Sequence, residues 1–180
     1  MTSPDYLETK PTIKTKATSK DSLATCGAAA PVSSHTEGNP LFFFKANEPY
    51  GEFCQWYPAT FTVTKSEMSA IVGHPIDSDD PAGWQPIYFS CAEQFVMYCK
   101  AGTFRDTETQ RQILATRDPK QQKAFARPTR GFQAATWDKI KSTVVIAGNM
   151  AKFQQNPKLK AVLLGTGDCL LAEAASEDRV

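Results

Sequence analysis

The sequence predicts one mainly helical domain with a minor β element, an α+β class, and three observations lead there. From Ser90 to Gly165 the chain reads as successive segments of helical periodicity separated by cap residues and prolines. Two short stretches rich in aromatic and β-branched residues, LFFFK from Leu41 and FTVT ending at Thr64, precede them. A chain of 180 residues that is 41% apolar has material for one core and too little for a second full domain.

Residues 1 to about 38 contain twelve Ser or Thr, four Lys and one aromatic residue. That composition buries too little apolar surface to offset chain entropy, so the segment is expected to be a disordered tail ahead of a domain over 39–180. No stretch resembles a signal peptide and no apolar run approaches the roughly 18 residues of a membrane span. A protein in the cytoplasm, with nuclear access open to it and no membrane partner, is expected. The formal charge of +1 excludes global steering toward polyanions, but all six arginines lie in the C-terminal half, so anion binding belongs there. Cys26, Cys54, Cys91, Cys99 and Cys169 form no CxxC pair and read as reduced core thiols. With only His35 and His74, neither a metal site nor a Ser-His-Asp triad is expected. His74 is expected to face solvent and has no assigned role.

Taken in order, LFFFK predicts a strand, Pro49, Gly51 and Pro58 force turns, and FTVT predicts a second strand. Lys65 to Gln85, with Pro75, DSDDP and Gly83, reads as a long surface loop able to act as a lid. Ser90 is the expected N-cap of a helix over CAEQFVMYCKAGTF that Gly102 closes. Asp106 caps the next helix, to about Thr116, and Asp118-Pro119 starts a short one ending near Ala126. Thr136 caps a longer helix with Trp137, Ile140, Val144 and Ala151 on one stripe, and Pro157 breaks it. A helix over LKAVLL ends at Gly165, where GTGD reads as a glycine C-cap rather than a phosphate loop, and CLLAEA returns as a strand.

At about 100° per residue, Glu93, Met97, Lys100 and Phe104 share a stripe beside the apolar residues Ala92, Phe95, Val96 and Cys99. A carboxylate and an amine therefore edge the core together. Pattern alone leaves two readings, a solvated flank or a reactive centre.

The segments around that helix decide in favour of chemistry. YGEFCQWYPATF, then AEQF with Lys100 seven positions after its glutamate, ARPTRGF leading to Trp137-Asp138, KFQQNPKLKAVLLGTGD and LAEAASED resemble the NADAR family in order and residue type. The likeness runs from Leu41 to the C-terminus. It implies a small helical N-glycosidase fold acting on phosphoribosylamino-pyrimidine intermediates of riboflavin synthesis or on ADP-ribose attached to nucleobases. It also implies Glu93 as the catalytic glutamate, Trp137 as the site tryptophan, and Lys100 and Arg127 as polar positions for ribose or phosphate.

Cleaving a ribose C1–N bond places positive charge on the sugar, which a carboxylate such as Glu93 stabilises while activating water. Gly51, Phe53, Gln55, Trp56 and Tyr57 form the candidate binding turn, with Trp56, Tyr57 and Trp137 as walls for a flat leaving group. Lys100 either pairs with phosphate or captures the ring-opened aldehyde as a Schiff base. Asp178 or Glu173 would be the second carboxylate. No cofactor is implied. The partner is a small phosphoribosyl or ADP-ribosyl substrate, with nucleic acid entering only on the ADP-ribosyl-base alternative. A non-catalytic ADP-ribose-binding or degenerate domain is the remaining reading, and nothing sets an oligomeric state.

Three positions depart from the family pattern. Cys54-Gln55 stands where Ser-Asn is common, Gln94 replaces a histidine, and the Trp-Gly motif beyond the acidic segment is not in the sequence. One wall of the site is expected to be missing.

Overall fold

The computed structural model describes residues 40–76 and 85–174. Within them the order is strand β1 (Leu41–Phe43), a 3-10 turn (Gly51–Phe53), β2 (Phe61–Thr64), α1 (Lys65–Val72) and β3 (Pro86–Phe89). Then follow α2 (Ala92–Thr103), α3 (Thr107–Ala115), α4 (Pro119–Ala126), α5 (Ala134–Gln155), α6 (Pro157–Gly165) and β4 (Leu171–Glu173). Six helices and two small two-stranded sheets match the expected mainly α class. β1 pairs in parallel with β4, and β2 pairs antiparallel with β3. The predicted tail lies outside the described residues, as does part of the predicted lid.

Helix α2 is the centre of the fold. Of its twelve residues only Met97, Lys100 and Thr103 are not buried. A helix apolar nearly all round must be covered on every side. Its covers are α3, α4 and α5, with α1 and β3 completing the shell. Phe95 packs edge-on to Phe89 with centroids 5.2 Å apart, and Phe61, Met68, Ile113 and Val144 close the same core. Each such side chain contributes about 1.5–3 kcal/mol on full burial. A second cluster, Leu41, Phe53 and Phe153, lies under the β1–β4 pair.

Several boundaries differ from the sequence reading for physical reasons. Lys65 does not begin a loop: Thr64 and Glu67 form a reciprocal capping box, and Lys65–Val72 is helical. The N-cap of α2 is Cys91 rather than Ser90, because the Ser90 hydroxyl is engaged by Gln94 Oε1 at 3.0 Å. Gly102 lies inside α2, where a Cβ would stand 2.8 Å from the Gln110 amide. Gln133, not Thr136, is the N-cap of α5. Gly165 is the last helical residue of α6, and the left-handed glycine after it is Gly167. His74 is half-buried rather than solvent-facing, with Nε2 3.1 Å from the Thr103 carbonyl.

Two polar devices fix the helices. The Gln94 side chain donates to the carbonyls of Ile113 and Thr116, both at 2.9 Å, and accepts from the Ser90 amide at 2.7 Å. The residue standing in place of the family's histidine is thus a strut between α2 and α3. Asp106 caps α3 and accepts from Arg130 Nε and Nη2 at 3.0 and 2.7 Å. Burial works to raise the Asp106 carboxyl, but hydrogen bonds from Arg130 and Thr109 overcome it and hold the group well below the usual carboxylate range.

The KFQQN segment docks α5 on the rest. Lys152 is fully enclosed (0% exposed) and donates to the carbonyls of Glu52 at 2.7 Å and Cys54 at 3.0 Å. Gln155 exchanges hydrogen bonds with the Thr62 backbone at 2.9 and 2.7 Å, and Asn156 donates to the Thr60 carbonyl. Burial pulls the Lys152 amine down to about 8, against opposing pulls from Cys54, Cys91 and Glu52.

Two stability predictions follow from this packing. A helical Gly→Ala change ordinarily stabilises by about 0.5–1 kcal/mol. At Gly148 the new Cβ would stand 2.6 Å from the Phe95 ring, which is itself wedged, so Gly148→Ala should destabilise by about 1–3 kcal/mol. A lowered urea midpoint at constant slope is expected, and a raised midpoint would contradict the close crossing. For Lys152 the folded state binds its proton less readily than the unfolded chain, whose amine titrates near 10.5. Between about pH 8 and 10.5 the unfolded chain carries the extra proton, so this group adds stability as pH rises. Wild type should gain on Lys152→Met between pH 8 and 9.5 in urea titrations, and parallel pH profiles would argue against a buried amine.

Candidate active site

The Gly51–Phe53 turn is set by a close backbone approach: a Cβ at Gly51 would stand 2.4 Å from the Ala46 carbonyl oxygen. Phe53 stacks in the second core cluster, 6.1 Å from Phe153. Just after them the chain presents Gln55 and Trp56. The Gln55 carbonyl accepts from the Glu93 amide at 3.0 Å, so the turn supplies the partner that the first turn of α2 lacks. That contact lays Gln55 and Trp56 against Glu93.

The result is a cleft of about 610 Å³ lined by Phe44, Lys45, Ala46, Asn47, Gln55, Trp56, Glu93, Lys123 and Glu173. Glu93 forms its floor and is 8% exposed. Its Oε1 and the Gln55 Oε1 are buried without a hydrogen-bond partner. Two buried acceptors left open cost about 1–3 kcal/mol each, a penalty that a bound donor would remove. Burial pushes the Glu93 carboxyl up from the ordinary glutamate range. The Lys123 ammonium and a hydrogen bond from the Trp56 side chain pull it back, while the charge of Glu173 pushes it further up. A carboxyl so placed holds its proton to higher pH than an exposed glutamate does.

The structure brings together Glu93, Gln55, Trp56 and Glu173 and separates them from the other candidates. Lys100 lies two turns along α2 from Glu93, and its amine donates to the Ala126 carbonyl at 2.9 Å beneath the Phe132 ring. Burial lowers its pKa, but the amine faces the end of α4 instead of the cleft. Gly51 and Phe53 shape the turn from behind. Tyr57 lies 5.5 Å from the Lys152 amine. Trp137 packs on the main core, and Arg127 is exposed at the C-cap of α4. Asp178 lies outside the described residues.

Five lining residues escaped the sequence reading in this role. Phe44 and Lys45 end the stretch that signals only a strand, Ala46 and Asn47 follow it directly, and Lys123 lies in the short helix begun by Asp118-Pro119. No local signal marks Lys123: its place in the cleft follows from the packing of α4 against α2. Among the described residues no group of three or more His, Cys, Asp and Glu could hold a metal ion, and no helix is long and apolar enough to cross a membrane.

Comparison with known proteins bears on this arrangement. The chain is 31% identical over 143 residues to an N-glycosidase of Acanthamoeba polyphaga mimivirus, covering 78% of this chain and 75% of that one. It is 26% identical over 133 residues to protein irg-1 of Caenorhabditis elegans, spanning 71% of this chain and 63% of the relative. It is 25% identical over 147 residues to a riboflavin biosynthesis protein of Vibrio vulnificus, covering 82% of this chain but only 34% of that longer protein. The solution structure of the Escherichia coli protein YbiA has the same fold, with TM-score 0.61 at 18% identity, over 83% of this chain and 75% of that one. Residues 42–180 match the NADAR domain, and on that match, together with the viral relative, the chain belongs to the NADAR family.

Proposed function

We propose that this protein is an N-glycosidase that hydrolyses the ribose C1–N bond of phosphoribosylamino-pyrimidines, giving ribose 5-phosphate and the free pyrimidine. The observation that carries the reading is Glu93: a buried carboxyl with one open oxygen, at the floor of an aromatic-walled cleft. The names of the viral N-glycosidase and the Vibrio riboflavin biosynthesis protein support the same reaction class.

In this reading the pyrimidine lies between Phe44 and Trp56, where stacking and the Asn47 and Gln55 amides hold it. As the C1–N bond breaks, positive charge grows on the ribose and the Glu93 carboxylate stabilises it. Water then adds to C1, giving its hydroxyl to the sugar and a proton, by way of Glu93, to the leaving nitrogen. Atoms balance with water alone. Lys123 favours the ionised form of Glu93 that the first step requires. Glu173 at the rim is the second carboxylate. Lys123 also replaces Lys100 as the amine that faces the substrate, whether it pairs with an anion or captures an opened C1 aldehyde.

Glu93→Gln should retain substrate binding and lose turnover by at least about 100-fold, the scale of general acid–base catalysis. Ribose 5-phosphate release is the readout, with an ADP-ribosylated base as a second substrate. Unchanged turnover would remove Glu93 from the mechanism, and release of ADP-ribose alone would move the substrate class. The same variant tests the electrostatics. A raised carboxyl pKa means that the folded state favours the protonated form, so this group's stability is lost as pH rises through that pKa. Glu93→Gln should therefore melt higher than wild type at pH 7, with the gain shrinking toward pH 4. Borohydride during turnover identifies the amine: an adduct on Lys100 would contradict the placement of Lys123.

A further inference from the structure

Trp56 is the boundary of a second cavity as well as of the Glu93 cleft. On its far side lies a space of about 350 Å³ bordered by Thr60, Ser90, Cys91 and Arg117. A smaller hollow of about 150 Å³ continues from it, again lined by Thr60, Ser90 and Arg117. Together they extend the cleft past the edge of Trp56, which is 38% exposed.

The two compartments differ in charge. Glu93 and Glu173 line the first beside Lys45 and Lys123, so a phosphate dianion placed there meets two carboxylates as well as two ammoniums and gains no net attraction. No carboxylate lines the second, and its cation is an arginine. Arg117 lies between α3 and α4, and among the described residues its guanidinium has no hydrogen-bond or ion-pair partner. Arg130 is committed to Asp106 and Arg111 to Glu108, and Arg127 lines none of the three spaces. A free guanidinium offers the two-pronged geometry that phosphate oxygens match.

On the N-glycosidase reading, we infer that the phosphate of the ribosyl substrate binds in this second compartment, on Arg117 with the Thr60 hydroxyl beside it. The ribose then crosses the Trp56 edge and presents C1 to Glu93. Arg117 becomes the residue that distinguishes phosphoribosyl from ribosyl compounds, a role the sequence had pointed to at Arg127.

Calorimetric titration of the full chain with ribose 5-phosphate and with ribose tests this without requiring turnover. Wild type should bind ribose 5-phosphate more tightly than ribose by at least tenfold. Arg117→Gln should reduce that preference by about 10- to 100-fold, the scale of a charge-assisted bidentate contact, with no change in melting temperature. Arg127→Gln should leave the preference intact. An Arg117-dependent preference in a protein that hydrolyses no ribosylamine would uphold this site while removing the reaction. A preference unchanged in Arg117→Gln, lost in Arg127→Gln or absent from wild type would overturn it.

Discussion

The site depends on one buried ammonium. Lys152, in the last turn of the longest helix among the described residues, donates to two backbone carbonyls about a hundred residues earlier in the chain, those of Glu52 and Cys54. The next carbonyl, that of Gln55, accepts the Glu93 amide at the start of α2. A path of hydrogen bonds and adjoining peptide units therefore runs from α5 through Glu52–Gln55 to the Glu93 backbone at the start of α2. An enclosed charge is expensive, and the fall of the Lys152 amine to about 8 expresses that cost. Hydrophobic contact could hold the turn near α5 but could not fix which carbonyl meets which amide. Directional bonds from one ammonium do.

Around this anchor the fold separates two kinds of polar group. Gln94 and Gln122 both donate to the Thr116 carbonyl and Asp106 pairs with Arg130, bonds that tie α2, α3 and α4 together, so their polarity is used up in structure. The side-chain oxygens Gln55 Oε1 and Glu93 Oε1 are buried and left open, and both residues line the same cleft. Among the described residues these are the buried side-chain oxygens without a partner, and two open acceptors on one surface are where a bound molecule would supply the missing donors. Lys123 and Glu173 then set the charge state from opposite sides.

Much of the helical order was legible in the sequence because caps and prolines act locally: Asp106, Asp118-Pro119 and Pro157 each mark a boundary of a helix found in the structure. The capping box Thr64–Glu67 was equally local, yet the turn-rich residues after it masked the short helix α1. The pairing of β1 with β4 joins segments about 130 residues apart, and no local pattern reports it. Glu93 was legible as a residue, but the cleft was not. Glu93 and Lys100 share a helix face, but two turns separate them by about 10 Å of rise, so a shared face is not a shared site. Lys152 shows the opposite limit. It reads as one of several helix lysines, and only the tertiary approach of the Glu52–Cys54 carbonyls makes it a core residue.

On the proposed function, burial and the neighbouring charges poise Glu93 as the reactive carboxyl of a ligand-accepting cleft. The most direct test of this is a carbon-13 titration of the Glu93 carboxyl by nuclear magnetic resonance, in wild type and in Lys123→Gln. The expected midpoint lies above the ordinary glutamate range and rises further when the Lys123 charge is removed. A midpoint in the ordinary glutamate range, indifferent to Lys123, would contradict it.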